Sequence, residues 1–566
     1  MQQKTSAKKL SGAFLFSLRL FKKSSLGPCG KLCRKLYRPQ LACEELLALR
    51  LGCVNPPSVY CRSYKSTCRQ MPGSTSAIRL SRSGNVKVIR RFAARFGSLV
   101  VVCLTTKMST AASNEPPLAL GSRVEMFVDN RLLDTNRTRG VSLQLQTPLR
   151  REVVLTTDKP WEGSASAYFT VFHDGARIRL YYRGFVPPHG DGSDQQVTCY
   201  AESEDGIKFT RPNLGLYEFQ GSKENNIVYR GVEAHNFAPF LDANPDAKAE
   251  EKFKAIGGLS SKLYAFGSPD GIHWKKLQSE PIFTQGAFDS LNVVFWDTLT
   301  KQYRCYSRYW SKGNYTGARA IQSCTSKDFI HWSDPVPNRY LDAAGAEPSP
   351  EHFYTSATTP CPGAPHQYLA FPMRFLPDRK RPSPIKESGA SDAVFMSSRD
   401  GVTWDRTFLE AWVRPGLDER NWTHRNNMTA WGIVQTSSNE FSMYLSEHYA
   451  WPDNRLRRVS IRPFGFASAH AGRAGGEITT RPFTFTGKIL RLNYSTSAAG
   501  SVQVEIQDEQ GKPQSGFALA DMSLLFGDEL DATVNCKSAK DLSGLRQPVR
   551  LRFVMKDADI FSFRFE

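Results

Sequence analysis

The sequence predicts an all-β chain, a five-bladed β-propeller followed by a C-terminal β-sandwich. Three observations predict it. The first is a heptad, Ser-x-Asp-(Gly/Phe)-(Ile/Val)-x-(Trp/Phe), that occurs four times: Ser203–Phe209, Ser268–Trp274, Ser326–Trp332 and Ser398–Trp404, with starts 65, 58 and 72 residues apart. Quasi-regular recurrence of a short motif marks a repeated supersecondary unit. The second is a pair of strand-like series that accompany the heptads. The third is a change of pattern near residue 465.

Each heptad follows a strand-like run: Val197–Tyr200, Lys262–Tyr264, Ala320–Ser323 and Ala393–Met396. Asp bonds backbone amides just ahead of it and Gly accepts positive φ, so Asp-Gly reads as a hairpin turn. The Ser and Asp are expected to be turn staples, with the closing aromatic opening the return strand. A polar-aromatic strand series runs through Arg177–Arg183, Lys252–Ile256, Gln302–Arg308, His366–Phe371 and Glu440–Leu445. A more apolar series precedes it: Ala167–Phe172, Asn236–Phe240, Leu291–Trp296, Tyr354–Thr358 and Asn427–Trp431. Five units of three or four antiparallel strands result, the fifth without its heptad. Packed around an axis they make a propeller, here over residues 118–465, with six blades as the competing count. Arg123–Asp129 is expected to supply an edge strand that closes the ring. From 475 to 566 short strands between polar loops predict the sandwich, read as a buttress for the propeller.

Charge and cysteine are skewed to the N-terminus. Residues 1–107 hold 21 Lys/Arg against 2 Asp/Glu, and the remainder holds 53 against 52. The high overall charge therefore gives no support to nucleic-acid binding by the main body. Seven of twelve cysteines also precede residue 107; the other five are scattered and read as core thiols, with one disulfide left open. Residues 1–114 read as a basic extension. Within it Arg90–Arg95, the apolar run Phe96–Leu104 and the small residues Ser109–Ser113 form a secretory signal pattern over 86–113. The expectation is an exported, periplasmic or extracellular protein whose translation starts near Val86 or Met71. A disordered basic extension is the plainer reading. The apolar run is too short to span a bilayer, and no integral membrane segment is expected.

Ser326-Lys-Asp-Phe-Ile-His-Trp332 resembles the Ser-x-Asp-Leu-x-x-Trp turn of five-bladed propeller glycosidases, the arabinanase/xylosidase and invertase/fructosidase groups. The resemblance covers about 120–465, and the trailing sandwich is similar to that of the invertase group. The heptads also resemble the Asp-boxes of sialidases, and the whole chain resembles secreted bacterial glycosyl hydrolase-like proteins. The resemblance implies a carbohydrate substrate, an oligo- or polysaccharide, and no required cofactor, with a structural calcium on the axis as an option.

In a propeller the entry ends of the first strands meet in one funnel. Those starts are Trp161-Glu162, His235-Asn236, Asp289-Ser-Leu-Asn292, His352-Phe-Tyr354 and His424-Arg425-Asn426. Polar groups so placed are costly to bury without partners or a ligand. Glycoside hydrolysis takes two carboxyl groups flanking the scissile bond, and Glu162 and Asp289 are the candidates. The axis-facing Glu that the family pattern requires on blade three or four is missing at Tyr354-Thr-Ser. Glu447 is the substitute acid, and Asp129 an alternative to Glu162. Asn236, Asn292, Tyr354, Arg374, Arg425, Asn426 and Trp161 are the candidate substrate contacts, with Trp422 a second stacking surface. For the carboxylates the plain alternative is a hydrogen-bonded structural role, and for Arg374 and Arg425 an ion pair between blades. No histidine pair has metal-ligand spacing, so no catalytic metal is expected.

Three functions follow: a glycosidase with paired carboxylates, a noncatalytic glycan-binding propeller, and a sialidase-like hydrolase. The last would take Arg183, Arg374 and Arg425 as a carboxylate clamp and Tyr354 as nucleophile. It requires three arginines converging on one tyrosine.

Overall fold

The computed structural model describes residues 116–186, 193, 195–381, 389–537 and 541–566. The basic extension and the signal pattern at 86–113 lie outside them. The described residues form an all-β structure of many small sheets. None of its helices is long and apolar enough to cross a membrane.

Three four-stranded antiparallel meanders come first. Ala167–His173, Ile178–Gly184, Val197–Ser203 and Ile227–Arg230 form the first; Ala238–Leu241, Phe253–Leu259, Lys262–Ser268 and Lys275–Lys276 the second; Val293–Asp297, Gln302–Trp310, Arg319–Ser326 and Val336–Pro337 the third. Each heptad sits where the third strand ends. In the second meander the Ser268 hydroxyl accepts the Gly271 amide at 2.9 Å and faces Asp270 Oδ1 at 3.0 Å, while Asp270 Oδ1 accepts the amides of Ile272 and His273 at 2.9 Å each. The same bonds recur at Ser203/Asp205, Ser326/Asp328 and Ser398/Asp400. Two short side chains thus satisfy three backbone amides of a reversal that the strand ladder has left behind.

The fourth unit is one bent hairpin shared by two sheets. Ala364–Ala370 pairs with Met396–Ser398, and beyond the bend Met373–Leu376 pairs with Ala390–Val394. The break falls at Phe371-Pro372, where proline has no N–H for the ladder; its carbonyl still accepts Val394 N at 3.0 Å. The segments expected as first strands here and in the fifth unit, Tyr354–Thr358 and Asn427–Trp431, are not regular strands. Ala357, Arg425 and Asn427 take positive φ (44°, 61° and 56°), which breaks the pleat. Trp431 instead exchanges backbone bonds with the first meander, Val171 N to Trp431 O at 2.8 Å and Trp431 N to Phe169 O at 2.9 Å.

The fifth meander, Val434–Ser437, Glu440–Glu447 and Arg455–Ile461, takes its outer strand from the other end of the chain, Leu149–Thr156. The expected closing segment is elsewhere: Glu125–Met126 pairs with Ser562–Phe563. Leu118–Gly121 and Val141–Leu145 likewise pair with Phe483–Phe485 and Ala467–Ala471. These N-terminal residues thus join a nine-stranded C-terminal sheet rather than the repeated units. Two long antiparallel strands, Leu490–Asp508 and Val549–Phe565, carry that sheet around a separate apolar core that includes Phe127, Phe483, Phe553 and Phe563. Glu125, wholly buried, accepts Arg399 at 2.9 Å, and Arg399 also reaches Asp129 at 3.1 Å, so the x residue of the fourth heptad fastens the sheet to the fourth unit. Burial raises the Glu125 carboxyl, but His366, Arg399 and Arg123 outweigh it and hold the group at about 2. Asp129, the alternative catalytic carboxylate, is spent in this contact.

Candidate functional site

The second and fourth residues of each polar-aromatic strand face one way and the third the other, as the pleat dictates. In the first and third meanders this gives the same pattern, Arg179-Leu-Tyr181-Tyr-Arg183 and Arg304-Cys-Tyr306-Ser-Arg308. The leading Arg and the Tyr serve the next heptad turn. The trailing Arg183 and Arg308 point into a shared polar cluster.

Tyr354 is the centre of that cluster. Its ring centroid lies 4.7 Å from the Arg308 guanidinium carbon, 5.5 Å from Arg319 and 5.8 Å from Arg425. Its hydroxyl faces that of Tyr168 at 3.5 Å. Arg183 covers the Tyr168 ring at 4.6 Å, and Arg425 donates to the Tyr449 hydroxyl at 2.6 Å. Residues from the first, third, fourth and fifth units therefore meet here. Burial alone would raise the Tyr354 phenol, but the charges of Arg425 and Arg308, the Tyr168 hydrogen bond and Arg319 outweigh it and hold the phenol at about 7. Tyr168 goes the opposite way, well above the ordinary phenol range, through burial and the neighbouring Tyr354. The pair shares one readily lost proton. His235, 3.0 Å from Gln196 Oε1 and 3.3 Å from Arg183, is pushed well below the usual imidazole range by burial and by Arg183, Arg425 and Arg308. It stays neutral.

Asp289 forms the cluster's exposed edge. Its carboxylate pairs with Arg308 and is 34 % exposed, whereas Tyr354 beneath is 6 % exposed. Its carbonyl accepts the Tyr168 hydroxyl at 3.1 Å. Asn236 and Asn292, expected as substrate contacts, hold this loop from both sides. Each side-chain amide donates to the carbonyls of both Phe288 and Ser290, and Asn236 Oδ1 accepts Gly258 N at 2.8 Å. They aim Asp289. Asn426 does the same for Tyr449, whose amide it accepts at 2.8 Å while its own amide caps Arg420 and Thr423.

The remaining candidates lie in other networks. Glu162, fully buried, accepts Tyr182, Arg211 Nη2 at 3.2 Å and Lys159 N at 3.0 Å; burial dominates and raises its carboxyl. Glu447 is enclosed by Arg150, Arg455 at 2.9 Å and Arg457 at 2.8 Å, where the fifth meander meets Leu149–Thr156. Among the described residues neither network includes Tyr354 or Asp289. Arg374 is bidentate to Asp392 (2.9 and 2.7 Å) and reaches Glu351 at 2.8 Å. Trp161 donates to Asn226 at 2.7 Å and packs edge-on against Phe219. Trp422 keeps an open face, 37 % exposed.

Sequence reasoning named Arg183, Tyr354 and Arg425 but missed Arg308, Arg319, Tyr168 and Tyr449. Arg308 was recoverable, because it repeats the register of Arg183. Tyr168 and Tyr449 were not, because a positive φ at Tyr168 (57°) and at His448 (58°) turns them inward against the local period. A cavity of about 970 Å³ lies away from the cluster, lined by Asn244, Lys254, Trp296, Tyr303 and Lys327 among others. Among the described residues no three His, Cys, Asp or Glu side chains group as metal ligands.

No family model matches the chain, and no curated protein matches it. Solved structures give distant likenesses. An N-acetylgalactosamine deacetylase from F. plautii, in complex with blood group B trisaccharide, aligns at 14 % identity and TM-score 0.36, over 57 % of this chain and 96 % of that one. A GH130 protein, from the family of mannoside phosphorylases containing hydrolases that target β-1,2 mannosidic linkages in Candida mannan, aligns at 13 % and 0.38, over 56 % and 95 %. A β-1,2-mannobiose phosphorylase from Listeria innocua, in complex with β-1,2-mannobiose, aligns at 12 % and 0.36, over 56 % and 97 %.

Proposed function

We propose that this protein is a carbohydrate-active hydrolase that cleaves glycosides of a carboxylate-bearing sugar, with Tyr354 as nucleophile. The observation that carries the reading is the convergence of Arg308, Arg319 and Arg425 within 5.8 Å of the Tyr354 ring. The sialidase-like reading asked for three arginines at one tyrosine; Arg425 is one of those expected, while Arg308 and Arg319 stand where Arg183 and Arg374 were expected. Guanidiniums bind carboxylate through paired N–H donors. A substrate that is itself anionic repels a carboxylate nucleophile at its anomeric carbon; a phenol avoids this, and tyrosine nucleophiles are a known exception to the two-carboxylate scheme.

In this mechanism the sugar carboxylate engages Arg308 and releases Asp289 from its ion pair. The freed Asp289 carboxylate takes the proton of the Tyr354 phenol; the Tyr354 oxygen bonds to the anomeric carbon as the glycosidic C–O bond breaks, and Asp289 passes that proton to the leaving oxygen. Water then attacks the same carbon, Asp289 takes its proton, and Tyr354 leaves as phenolate. Two displacements retain configuration. Glu162 and Glu447 serve as structural clamps.

The wider reading is that the five units close into a five-bladed propeller, the bent hairpin counting as one blade and the C-terminal sheet folding as a sandwich. The contacts of the fifth unit with the first, Trp431 with Phe169 and Val171, support the closed ring. The pattern at 90–113 supports export. The chemistry described needs no cofactor.

The test uses 4-nitrophenyl glycosides with and without a carboxylate on the sugar. Release from the acidic glycosides alone, falling on the order of 10³-fold or more in Tyr354→Phe, is expected. Equal release from neutral glycosides, abolished by Glu162→Gln, would instead favour the paired-carboxylate enzyme. Binding of the acidic sugar without release would favour the noncatalytic propeller.

A further inference from the structure

Two loops build the fifth unit's share of the cluster. One, residues 418–427, carries Arg425. The other, residues 447–455, carries Tyr449. Both are conformationally constrained: Arg425, Asn427, His448 and Ala450 all have positive φ, between 56° and 71°. Non-glycine residues hold such conformations only where their surroundings over-determine them.

His448 supplies that determination. It is completely buried, and its two ring nitrogens face carboxylates from the two loops: Nε2 lies 2.7 Å from Asp418 Oδ2 and Nδ1 lies 2.8 Å from Asp453 Oδ2. A carboxylate only accepts, so both nitrogens must donate, and the ring between them carries both protons. The carboxylates are ionised. Asp418 is held at about 2, burial being outweighed by Arg420, His448 and the Arg420 amide, and Asp453 is lowered by His448 and Arg420 against burial. Arg420 bridges the same two carboxylates from the solvent side, at 3.3 Å and 2.8 Å. Arg455 approaches Asp418 at 3.8 Å while binding Glu447. Two carboxylates and two cations thus alternate in a closed ring, with imidazolium inside and guanidinium outside.

Backbone bonds run from this ring to the cluster. Asn421 Oδ1 accepts His448 N at 3.3 Å, and Asn426 Oδ1 accepts Tyr449 N at 2.8 Å. The Ser446 hydroxyl donates to Arg425 O at 2.8 Å, and Asn427 N donates to Ser446 O at 2.8 Å. The Arg425–Tyr449 bond spans the two loops at the far end.

We propose that His448 is a positioning residue: as a doubly protonated clamp between Asp418 and Asp453 it locks the Arg425 loop to the Tyr449 loop and so fixes the guanidinium that faces Tyr354. The geometry of the clamp is independent of the reaction. Its importance for turnover rests on the function proposed above.

The experiment compares wild type with His448→Gln, which keeps the volume but cannot donate to both carboxylates at once. Hydrogen exchange over 418–428 and 446–455 is read by mass spectrometry, and the Tyr354 phenolate by absorbance at 295 nm, with Tyr354→Phe identifying its contribution. Exchange in both loops is expected to rise at least tenfold, and the phenolate midpoint to move up by ~0.5 unit or more as Arg425 withdraws. Tyr449→Phe, which cuts the same link at its other end, should move the midpoint in the same direction. If His448→Gln fails to fold, Asp453→Asn, which weakens one side of the clamp at a half-exposed position, gives the same readouts. Unchanged protection in both loops of a folded variant would overturn the proposal, whatever the protein hydrolyses. Changed protection with no hydrolysis of any glycoside would leave the clamp standing and remove the catalytic reading.

Discussion

The phenol of Tyr181 donates to the carbonyl oxygen of Gly271 at 2.9 Å, so a strand of one meander grips the heptad turn of the next. Tyr306 grips Gly401 at 2.9 Å and Tyr444 grips Gly206 at 2.7 Å in the same way. The second meander lacks the device. Ile256 holds the strand position of Tyr181 and Tyr306, three residues past the partner of the heptad serine, and the turn it serves carries Phe329 in place of glycine, at φ 70°. A Cβ on Gly271 would lie 2.6 Å from the Tyr181 hydroxyl, and one on Gly401 equally close to Tyr306. Tyrosine demands glycine opposite; isoleucine leaves room for a side chain.

Gly271→Ala is therefore expected to cost about 2–3 kcal/mol, from the clash together with the left-handed backbone. In a double-mutant cycle with Tyr181→Phe the two losses should sum to more than the double mutant shows, by about 1 kcal/mol. Phe329→Gly should cost about 3–5 kcal/mol, because it empties a buried site. Urea denaturation measures all four.

The Tyr354 phenol gives a pH signature. Its folded value of about 7 lies below the ordinary phenol value of 10.0. Between the two the native state binds fewer protons than the unfolded chain, so stability rises with pH from about 7 to about 10 and is lost as pH falls through 7. The melting temperature of wild type should climb across that window relative to Tyr354→Phe. Because Asp289 must deliver the proton it takes from Tyr354, the form that has lost that proton is inactive, and kcat/KM should fall through the same midpoint.

Glu162→Gln keeps an acceptor for Tyr182 but removes the charge beside Arg211. A loss of about 2–4 kcal/mol with the catalytic rate of the surviving folded protein intact is expected. Arg374→Ala should behave alike, costing stability through Asp392 and Glu351 and leaving affinity for an acidic sugar unchanged, whereas Arg308→Ala should abolish that affinity. Calorimetric titration with the free acidic sugar separates the two arginines.

Asn236→Ala and Asn292→Ala test whether these amides aim Asp289. Each leaves carbonyls of Phe288 and Ser290 short of a donor in a buried setting, costing about 1–3 kcal/mol. Activity should fall through kcat rather than KM, since Asp289 is misplaced while the arginines stay.

The repeated units were legible because the heptad is local chemistry. A serine, an aspartate and a permissive fourth residue specify the turn without help from afar, and strand alternation supplies the rest. What the sequence concealed was pairing over long distances. Nothing in Leu149–Thr156 distinguishes a strand bound for Arg455–Ile461 from one bound for its neighbour, and Glu125–Met126 finds its partner beyond residue 560. At the site the funnel rule picked out Tyr354, Arg425 and Asp289, which the structure brings into one cluster although the segments at Tyr354 and Arg425 are not strands. It misplaced Glu162 and Trp161, which turn outward into the first meander's own core.

The pairing of Leu149–Thr156 with Arg455–Ile461 sets an order on biosynthesis. The strand that completes the fifth unit leaves the ribosome some 300 residues before its partners. The C-terminal sheet repeats the situation more severely, since Val549–Phe565 is a central strand that pairs with partners at 125–126, 469–471, 476–479, 483 and 490–508. A nascent chain that has not yet reached residue 549 therefore carries early strands whose mates do not yet exist. Such a chain needs its edges shielded until that strand emerges, and a stop that removes Val549–Phe565 would unmake the pairing of Glu125–Met126 as well as that of Leu490–Asp508.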